Sequence, residues 1–374
     1  MKKFLLKRLL FILPGAAAYI VTKYAQYNPD WTEKVYSLSV YPVLSTAVGF
    51  LPSLVGFSVT EWLVVLFLLF CLGYIVYHVR KVIISKDGRG IAAYRGVVGA
   101  VAIFCMVYFV FTALCGLNYH RYTFTYYTGY DVEQSSVEEL EQLCTSLAED
   151  MELVREQLGN DTDLSTPWPG DFDYYAQHSV LVMKMLAEQY PVLDRSLYSA
   201  PKPVVMSELM SNAGIGGVFV PFTSNINVNA PFFTLPSTMA HELAHQSGFM
   251  REDEANFIAY LACKLSDEPM MLYSGLFLAF DHSISALEEA DPELASEIIS
   301  GLSQAVQRDM VQHKQFWSQH EGIISNVSRT VMDMYLKANN QADGVYSYDR
   351  MVDLLLAEQR AAAAQPAGAQ GAVR

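Results

Sequence analysis

The sequence predicts a membrane-anchored α+β protein, in which about three N-terminal transmembrane helices precede a mostly helical domain with a small antiparallel sheet. The 374 residues are 52% hydrophobic and have a mean hydropathy of +0.19. That is too apolar for an ordinary soluble protein and fits a few membrane spans plus one soluble domain. The longest runs that are both strongly apolar and uncharged lie within residues 1–118, the predicted membrane anchor, whereas most of the acidic residues lie in the remainder.

Transmembrane helices are predicted at about residues 62–79 and 96–117, because both runs are uncharged and long enough to cross about 30 Å of hydrocarbon. A further span is predicted at about residues 4–21, which has Lys7 and Arg8 near its start. A basic start followed by small residues is also typical of a cleaved signal peptide. The absence of a clear cleavage site favours an uncleaved span.

Residues 40–59 are apolar as well, but only Thr60 and Glu61 separate them from the next span. That is too short a connection for a membrane hairpin. The prolines and glycines of this stretch therefore favour an interfacial loop.

The distribution of lysine and arginine predicts the sidedness of the spans. Basic residues precede the first span and fill the loop between the second and third, at Lys2, Lys3, Lys7, Arg8, Arg80, Lys81, Lys86, Arg89 and Arg95. The loop between the first and second spans has only Lys23 and Lys34. We therefore expect a multi-pass protein of the cell membrane whose C-terminal domain is extracytoplasmic, even if the first segment is cleaved.

The C-terminal domain is strongly acidic. Residues 1–117 contain 11 of the 25 Lys and Arg residues and 4 of the 39 Asp and Glu residues, so the remainder has 14 basic and 35 acidic residues and a net charge of −21. Such a domain should repel nucleic acid, so no nucleic-acid partner is expected, and the predicted spans make the lipid bilayer a partner of the anchor. Cys144 and Cys263 lack CxxC spacing, which favours two buried thiols over a disulfide or a metal site.

The outer domain is predicted to occupy residues 119–360. Ser136 and Glu139 form a capping-box pattern that begins one helix, and residues 172–190 read as a second. Short strands are predicted at residues 203–207, 218–221 and 225–229, the last two as an antiparallel hairpin that turns at residues 223–224. Four or five long helices follow, and the Ala/Gly-rich tail, residues 361–374, is predicted to be disordered.

The segment HELAH, residues 241–245, carries the strongest chemical signal. On a helix, His241 and His245 lie on one face, one turn apart, where both imidazoles can bind one metal ion. Glu242 projects beside them and can contact a metal-activated water without being a ligand. Pro236 suits the start of this helix and Gly248 its end.

A catalytic zinc site needs a third protein ligand, and the following helix offers Glu252. Ala255, Asn256 and Ala259 share its face, and the small alanines would let the two helices pack closely. Glu254 is the alternative third ligand, but it lies off this face.

HELAH followed by E-x-x-A-N resembles the gluzincin branch of the zincin metallopeptidases, which implies a zincin-like domain, Zn²⁺ as cofactor and His241, His245 and Glu252 as ligands. Asn256 matches the residue beside the metal that steadies a ligand histidine, although many gluzincins have Asp there. With the GGVFVPF and NINVN segments and the N-terminal spans, the chain resembles an uncharacterised bacterial family of membrane-anchored, metallopeptidase-like proteins. Arg251 stands where metzincins place a third histidine, which argues against that branch.

The predicted function is hydrolysis of peptide bonds, with Glu242 as the general base that activates water. The strand carrying Asn225, Asn227 and Asn229 is a candidate edge to which an extended peptide substrate could add, or else a plain structural hairpin. The donor to the oxyanion is left open among four residues, for each of which a structural role is also expected: Tyr273, His282, Tyr348 and Arg350.

Two other functions stay open. The first is a non-catalytic zinc-binding membrane sensor or scaffold, against which an intact Glu242 argues. The second is hydrolysis of a non-peptide such as a cell-wall crosslink, because a fold does not fix a substrate.

Overall fold

The computed structural model describes residues 2–85, 88–167, 171–220, 223–339, 341 and 350–364, with side chains from residue 8 onward. The chain divides into two compact units, Met1–Tyr122 and Thr123–Arg374. The division lies a few residues beyond the boundary predicted at residue 118.

The described part of the N-terminal unit is helical. Its elements are α1 (Lys2–Tyr27), α2 (Pro29–Trp31), a π-helix (Thr32–Val40), α3 (Tyr41–Ser53), α4 (Val59–Ile84), α5 (Arg89–Leu114) and a 3₁₀ turn (Gly116–His120). The segments predicted at residues 4–21, 62–79 and 96–117 fall largely within α1, α4 and α5, which begin earlier than predicted.

The loop predicted at residues 40–59 is wrong, because Tyr41–Ser53 is helical. Pro42 lies where the π-helix passes directly into α3, inside a helical run that extends from Pro29 to Ser53. Pro52 lies in the last turn of α3.

The three long helices of this unit alternate in direction. Helices α1 and α5 run parallel, since Gly15 lies against Cys105 and Thr22 is bonded to Tyr108. Helix α4 runs antiparallel to α5, since the Tyr74 hydroxyl donates to the carbonyl of Gly96, the residue that also lies against His78. The end of α1, the start of α4 and the end of α5 therefore lie at the same end of this helical group.

Several helical segments are long and apolar enough to cross a membrane. Among the described residues they are Arg8–Tyr27, Pro29–Ser53, Val59–Ile84, Arg89–Leu114 and Pro269–Ala290. In the most apolar stretch of Pro269–Ala290, 67% of the residues are buried, whereas the share is 28% or less in each of the other four segments. That helix belongs to the core of the C-terminal unit.

The C-terminal unit is mostly helical with one small sheet. Its elements are α6 (Phe124–Thr128), α7 (Val137–Leu158), α8 (Asp171–Gln189), β1 (Lys202–Pro203), α9 (Ser207–Asn212), β2 (Gly217–Phe219), β3 (Ser224–Ile226), α10 (Leu235–Gln246), α11 (Glu252–Lys264), α12 (Pro269–Ala290), α13 (Pro292–Gly301), α14 (Gln304–Gln319), α15 (Ile323–Ala338) and α16 (Met351–Ala364).

The core of this unit surrounds α12, which packs against α7, α10, α11 and α16. Large side chains that are almost completely buried fill it, among them Met151, Phe233, Phe257 and Phe280. The predicted capping box of α7 is present, because Ser136 and Glu139 each bond to the other's backbone. Cys144 and Cys263 are buried free thiols, as expected.

The sheet differs from its prediction. The strand order is β1-β3-β2, with β1 parallel and β2 antiparallel to β3, so the sheet is mixed rather than antiparallel. Residue Ser224, predicted in the turn, begins β3, and the predicted strand at residues 203–207 is displaced to Lys202–Pro203. Most importantly, β3 is the central strand, so the predicted edge at residues 225–229 is wrong.

The disordered tail was predicted to start at residue 361. Helix α16 continues through Ala364, because its run of alanines has the highest helix propensity of any residue type. The rest of the predicted tail lies outside the described residues.

Candidate metal centre

A tight turn joins the two helices that carry the candidate ligands. Helix α10 has Pro236 in its first turn and ends just before Gly248, whose φ of 92° is open to glycine and strained for other residues. The Phe249 N–H returns to the Ala244 carbonyl at 3.2 Å, a hydrogen bond that closes the helix end. Only two residues separate Phe249 from Glu252, where α11 begins, so the turn brings Glu252 back towards the histidines.

Small residues line the contact between α10 and α11. Ala240 and Ala244 of the first helix and Ala255 and Ala259 of the second are completely buried. Small side chains let helix backbones approach closely, so the longer polar side chains beside them can meet.

The three predicted ligand atoms converge. His241 Nε2 lies 3.2 Å and His245 Nε2 lies 3.5 Å from Glu252 Oε2, and the three residues offer ligand atoms that all lie within 4.8 Å of one another. Tetrahedral zinc with bonds of about 2.0–2.1 Å places neighbouring ligand atoms about 3.3–3.4 Å apart. The donor types and spacing therefore fit a zinc ion.

Hydrogen bonds fix the orientation of both rings. His241 Nδ1 lies 2.7 Å from Asn256 Oδ1, and His245 Nδ1 lies 2.7 Å from the Phe249 carbonyl oxygen. Both oxygens accept hydrogen bonds, so each Nδ1 carries the proton. This leaves the Nε2 lone pairs directed at the cluster, the tautomer that a metal ligand needs.

Burial and neighbouring charges have opposite effects on the pKa values of the cluster residues. Burial alone would lower the pKa of His245, but the Glu252 carboxylate outweighs it and raises the pKa to about 9. Burial alone would raise the pKa of Glu252, yet His245 and His241 hold it well below its usual range. These residues therefore require positive charge at the centre, which a divalent cation also supplies.

Glu242 lies beside the cluster with a different environment. It is only 3% exposed, and its buried Oε2 has no hydrogen-bond partner among the described residues. Burial raises its pKa, which the two histidines only partly offset and Glu252 reinforces. An unpartnered buried carboxylate is costly to stability, which makes Glu242 a candidate functional residue.

The edge strand β2 passes directly over Glu242. A Cβ at Gly217 would lie 2.9 Å from Glu242 Cγ and 3.0 Å from Cδ, closer than a real side chain tolerates. Glycine is therefore required for this approach. Two residues on, the Phe219 ring lies 6.2 Å from that of His245, so β2 forms one wall of the site.

The alternative ligand Glu254 is not in the cluster. Its carboxylate accepts the Phe124 N–H at 3.0 Å and pairs with Arg251 at 3.6 Å. This side chain binds α11 to α6, a structural role.

All three asparagines predicted to bind substrate form hydrogen bonds within the C-terminal unit. Asn225 Nδ2 donates to the carbonyls of Val218 and Thr223, and Asn227 Nδ2 donates to the carbonyl of Ile215. Both are buried. Asn229 is exposed and donates to Glu208.

The four candidate oxyanion donors differ in where they lie relative to the three ligand residues. Tyr273 donates to Asp309 in a different buried cluster, and Arg350 is exposed. His282 Nε2 lies 3.4 Å from Asn256 Nδ2, and Asn256 in turn contacts the ligand His241. Tyr348 lies outside the described residues.

Sequence reasoning missed Gly217 and the Phe249 carbonyl. The Gly216-Gly217 pair at the start of β2 is a usable signal, since glycine within a strand often marks a close approach. A backbone carbonyl has no signal of its own in a sequence.

The DUF3810 family, described as a protein of unknown function, matches residues 36–356. The match covers most of the chain, including the candidate metal centre, and the chain therefore belongs to this family. Comparison with the curated proteins and with the solved structures found no match.

Proposed function

We propose that this member of the DUF3810 family is a membrane-anchored zinc metallopeptidase with a gluzincin-like centre. One observation carries the proposal. The three ligand atoms of His241, His245 and Glu252 converge next to Glu242, a buried carboxylate with an unpartnered oxygen. A zinc site alone needs no such carboxylate, whereas hydrolysis needs a base at that position.

His241, His245 and Glu252 would hold the metal, and Asn256 and the Phe249 carbonyl would keep the two rings in place. Zinc, when bound there, would supply Lewis-acid activation of a water molecule and of the scissile carbonyl. Glu242 accepts a proton from the attacking water and returns it to the leaving amine. Burial raises its pKa, and a higher pKa makes the carboxylate a stronger acceptor for the proton of the water.

The edge strand β2 is the better candidate for a substrate-binding strand. It lies at the edge of the sheet and borders Glu242 through Gly217. An extended peptide that pairs with β2 would place a scissile bond close to the base, with main-chain hydrogen bonds giving affinity.

The proposed topology has three spans and an extracytoplasmic catalytic unit. Residues 28–58 begin and end at the same end of the group formed by α1, α4 and α5, so they return without crossing. Most of the basic residues of this unit lie at the opposite end, at the start of α1 and between α4 and α5, which supports a cytoplasmic location for that end. A C-terminal epitope should be digested by protease added to intact spheroplasts, and a protected epitope would overturn this topology.

The activity is tested with the full-length chain in lipid nanodiscs, zinc-loaded and mixed with a peptide library. Mass spectrometry should detect cleavage products from the wild-type chain and none from Glu242→Gln. Bound zinc without any turnover in both chains would instead favour the zinc-binding sensor or scaffold.

A further inference from the structure

Helix α15 exposes an apolar face. Six large apolar side chains on this helix are exposed by 37% to 84%: Ile323, Ile324, Val327, Val331, Met334 and Tyr335. No other described helix of the C-terminal unit exposes more than two. Contiguous exposed apolar patches of this kind mark interaction sites.

The arrangement is a complete amphipathic helix. At 100° per residue, the six side chains and Ala338 fill an arc of about 120° that contains no polar residue. The charged residues Arg329, Asp333 and Lys337 lie outside this arc. Leu336, which is completely buried, also lies outside this arc, so the apolar face and the buried side of the helix point in different directions.

The chain itself supplies the surface that would cover this face. Only residues 115–122 separate the end of α5 from the start of the C-terminal unit. A segment of this length spans at most about 30 Å, so the unit is tethered beside the bilayer in which α5 is proposed to lie. A tethered surface has a high effective concentration, an advantage that a diffusing partner lacks.

The side chains also fit a lipid surface. The face is chiefly aliphatic, and Tyr335 lies at its edge, as aromatic residues do at membrane interfaces. Because the C-terminal domain is acidic, attraction to anionic head groups cannot hold it, and burial of the apolar face must drive the contact.

We propose that the apolar face of α15 inserts into the interfacial layer of the bilayer that anchors the chain. The C-terminal unit is then attached to the membrane at two points, the tether and α15. Insertion should occur in neutral lipid and should not weaken at high salt, since it depends on apolar burial rather than on charge.

The test places a nitroxide label on the full-length chain in phosphatidylcholine nanodiscs. Val327→Cys and Val331→Cys report the apolar face, and Asn326→Cys and Arg329→Cys are matched controls at exposed positions outside the arc. The apolar-region cysteines Cys71, Cys105 and Cys115 are replaced by alanine, whereas Cys144 and Cys263 are buried. The unsubstituted background must show no label, and all variants must keep the same helical circular dichroism.

The expected result is a several-fold higher ratio of oxygen to nickel-chelate accessibility at residues 327 and 331 than at residues 326 and 329. Equal access of the aqueous chelate to all four labels would overturn the proposal. Protection from both reagents, with dipolar broadening between labels, would assign the face to a second copy of the chain. The same protection without broadening would assign it to another protein surface.

Discussion

The C-terminal unit contains two buried polar clusters that differ in one respect. In the first, which we call the anchor cluster, Arg155 donates to Asp309, to the Gly159 carbonyl and to the Thr162 carbonyl, and Tyr273 also donates to Asp309. In the second, the metal centre, three ligand atoms converge on one point and Glu242 Oε2 has no partner among the described residues.

The pKa values alone would not separate the two clusters. Burial raises the pKa of Asp309, against the opposing effect of Arg155 and Tyr273, just as it raises that of Glu242. The difference lies in hydrogen bonding, because Asp309 accepts hydrogen bonds from Arg155 and Tyr273, whereas Glu242 Oε2 has no donor within the described part of the chain. A satisfied buried cluster stabilises a fold, and a convergent, unsatisfied one is available for a ligand.

The largest expected effect is on catalysis by the metal centre. Glu242→Gln should lower kcat/KM for a cleaved peptide by about 10²–10⁴-fold, because the proton acceptor is lost. Bound metal should persist, and thermal stability should be equal or higher, since a buried carboxylate is removed. Glu254→Gln serves as the control and should retain activity. Loss of stability in Glu242→Gln would mean that this carboxylate is structural after all.

The anchor cluster should give the opposite pattern. Asp309→Ala leaves Arg155 buried without its ion-pair partner, which should cost about 3–5 kcal/mol in the free energy of unfolding. The measurement is denaturant unfolding of the solubilised chain, alongside metal bound per folded molecule. Metal content should not change. If Asp309→Ala folds normally but loses metal, the distinction between the two clusters fails.

A smaller effect is expected where β2 meets the metal centre. Gly217→Ala places a methyl group against Glu242, and a displacement of about 1 Å at a catalytic group can cost roughly 10²-fold in rate. Peptidase rate should fall while metal content stays constant. Gly216→Ala is the matched control, because its Cβ would contact only Thr238, at 3.9 Å. Equal activity in the two variants would show that β2 does not position Glu242.

The smallest expected effect concerns the residue that orients His241. Asn256→Ala removes the acceptor of the His241 Nδ1 proton and should weaken metal affinity by about 10–100-fold. Competition with a chelator of known affinity measures this change. Asn256→Asp should restore or raise the affinity, since a carboxylate is the stronger acceptor. An unchanged affinity in Asn256→Ala would remove this residue from the site.

Local features were the predictable part of this molecule. The spacing of His241 and His245 fixes their shared face within one turn of helix, and Glu252 follows from the face that it shares with Ala255 and Ala259. Apolar runs predict the spans. The prolines and glycines of α3 predict a loop, yet the segment is helical, so these residue types alone do not decide its structure.

Contacts between residues that are distant in the chain could not be predicted from the sequence. Strand β1 pairs with β3 across α9, and nothing in the apolar pattern distinguishes this from a hairpin edge. Arg155 and Asp309 are 154 residues apart, so their pairing depends on how α7 and α14 pack. The approach of Gly217 to Glu242 is likewise a tertiary contact.

The central claim is that α10 and α11 form a three-ligand metal site, and metal content tests it most directly. Mass spectrometry would measure bound metal in the full-length chain, in Glu252→Ala and in Glu254→Ala, two variants that each remove a buried carboxylate from α11. We expect about one zinc per chain in the wild type and in Glu254→Ala, and loss of the zinc in Glu252→Ala. A well-folded wild-type chain without stoichiometric metal, or equal loss in both variants, would contradict it.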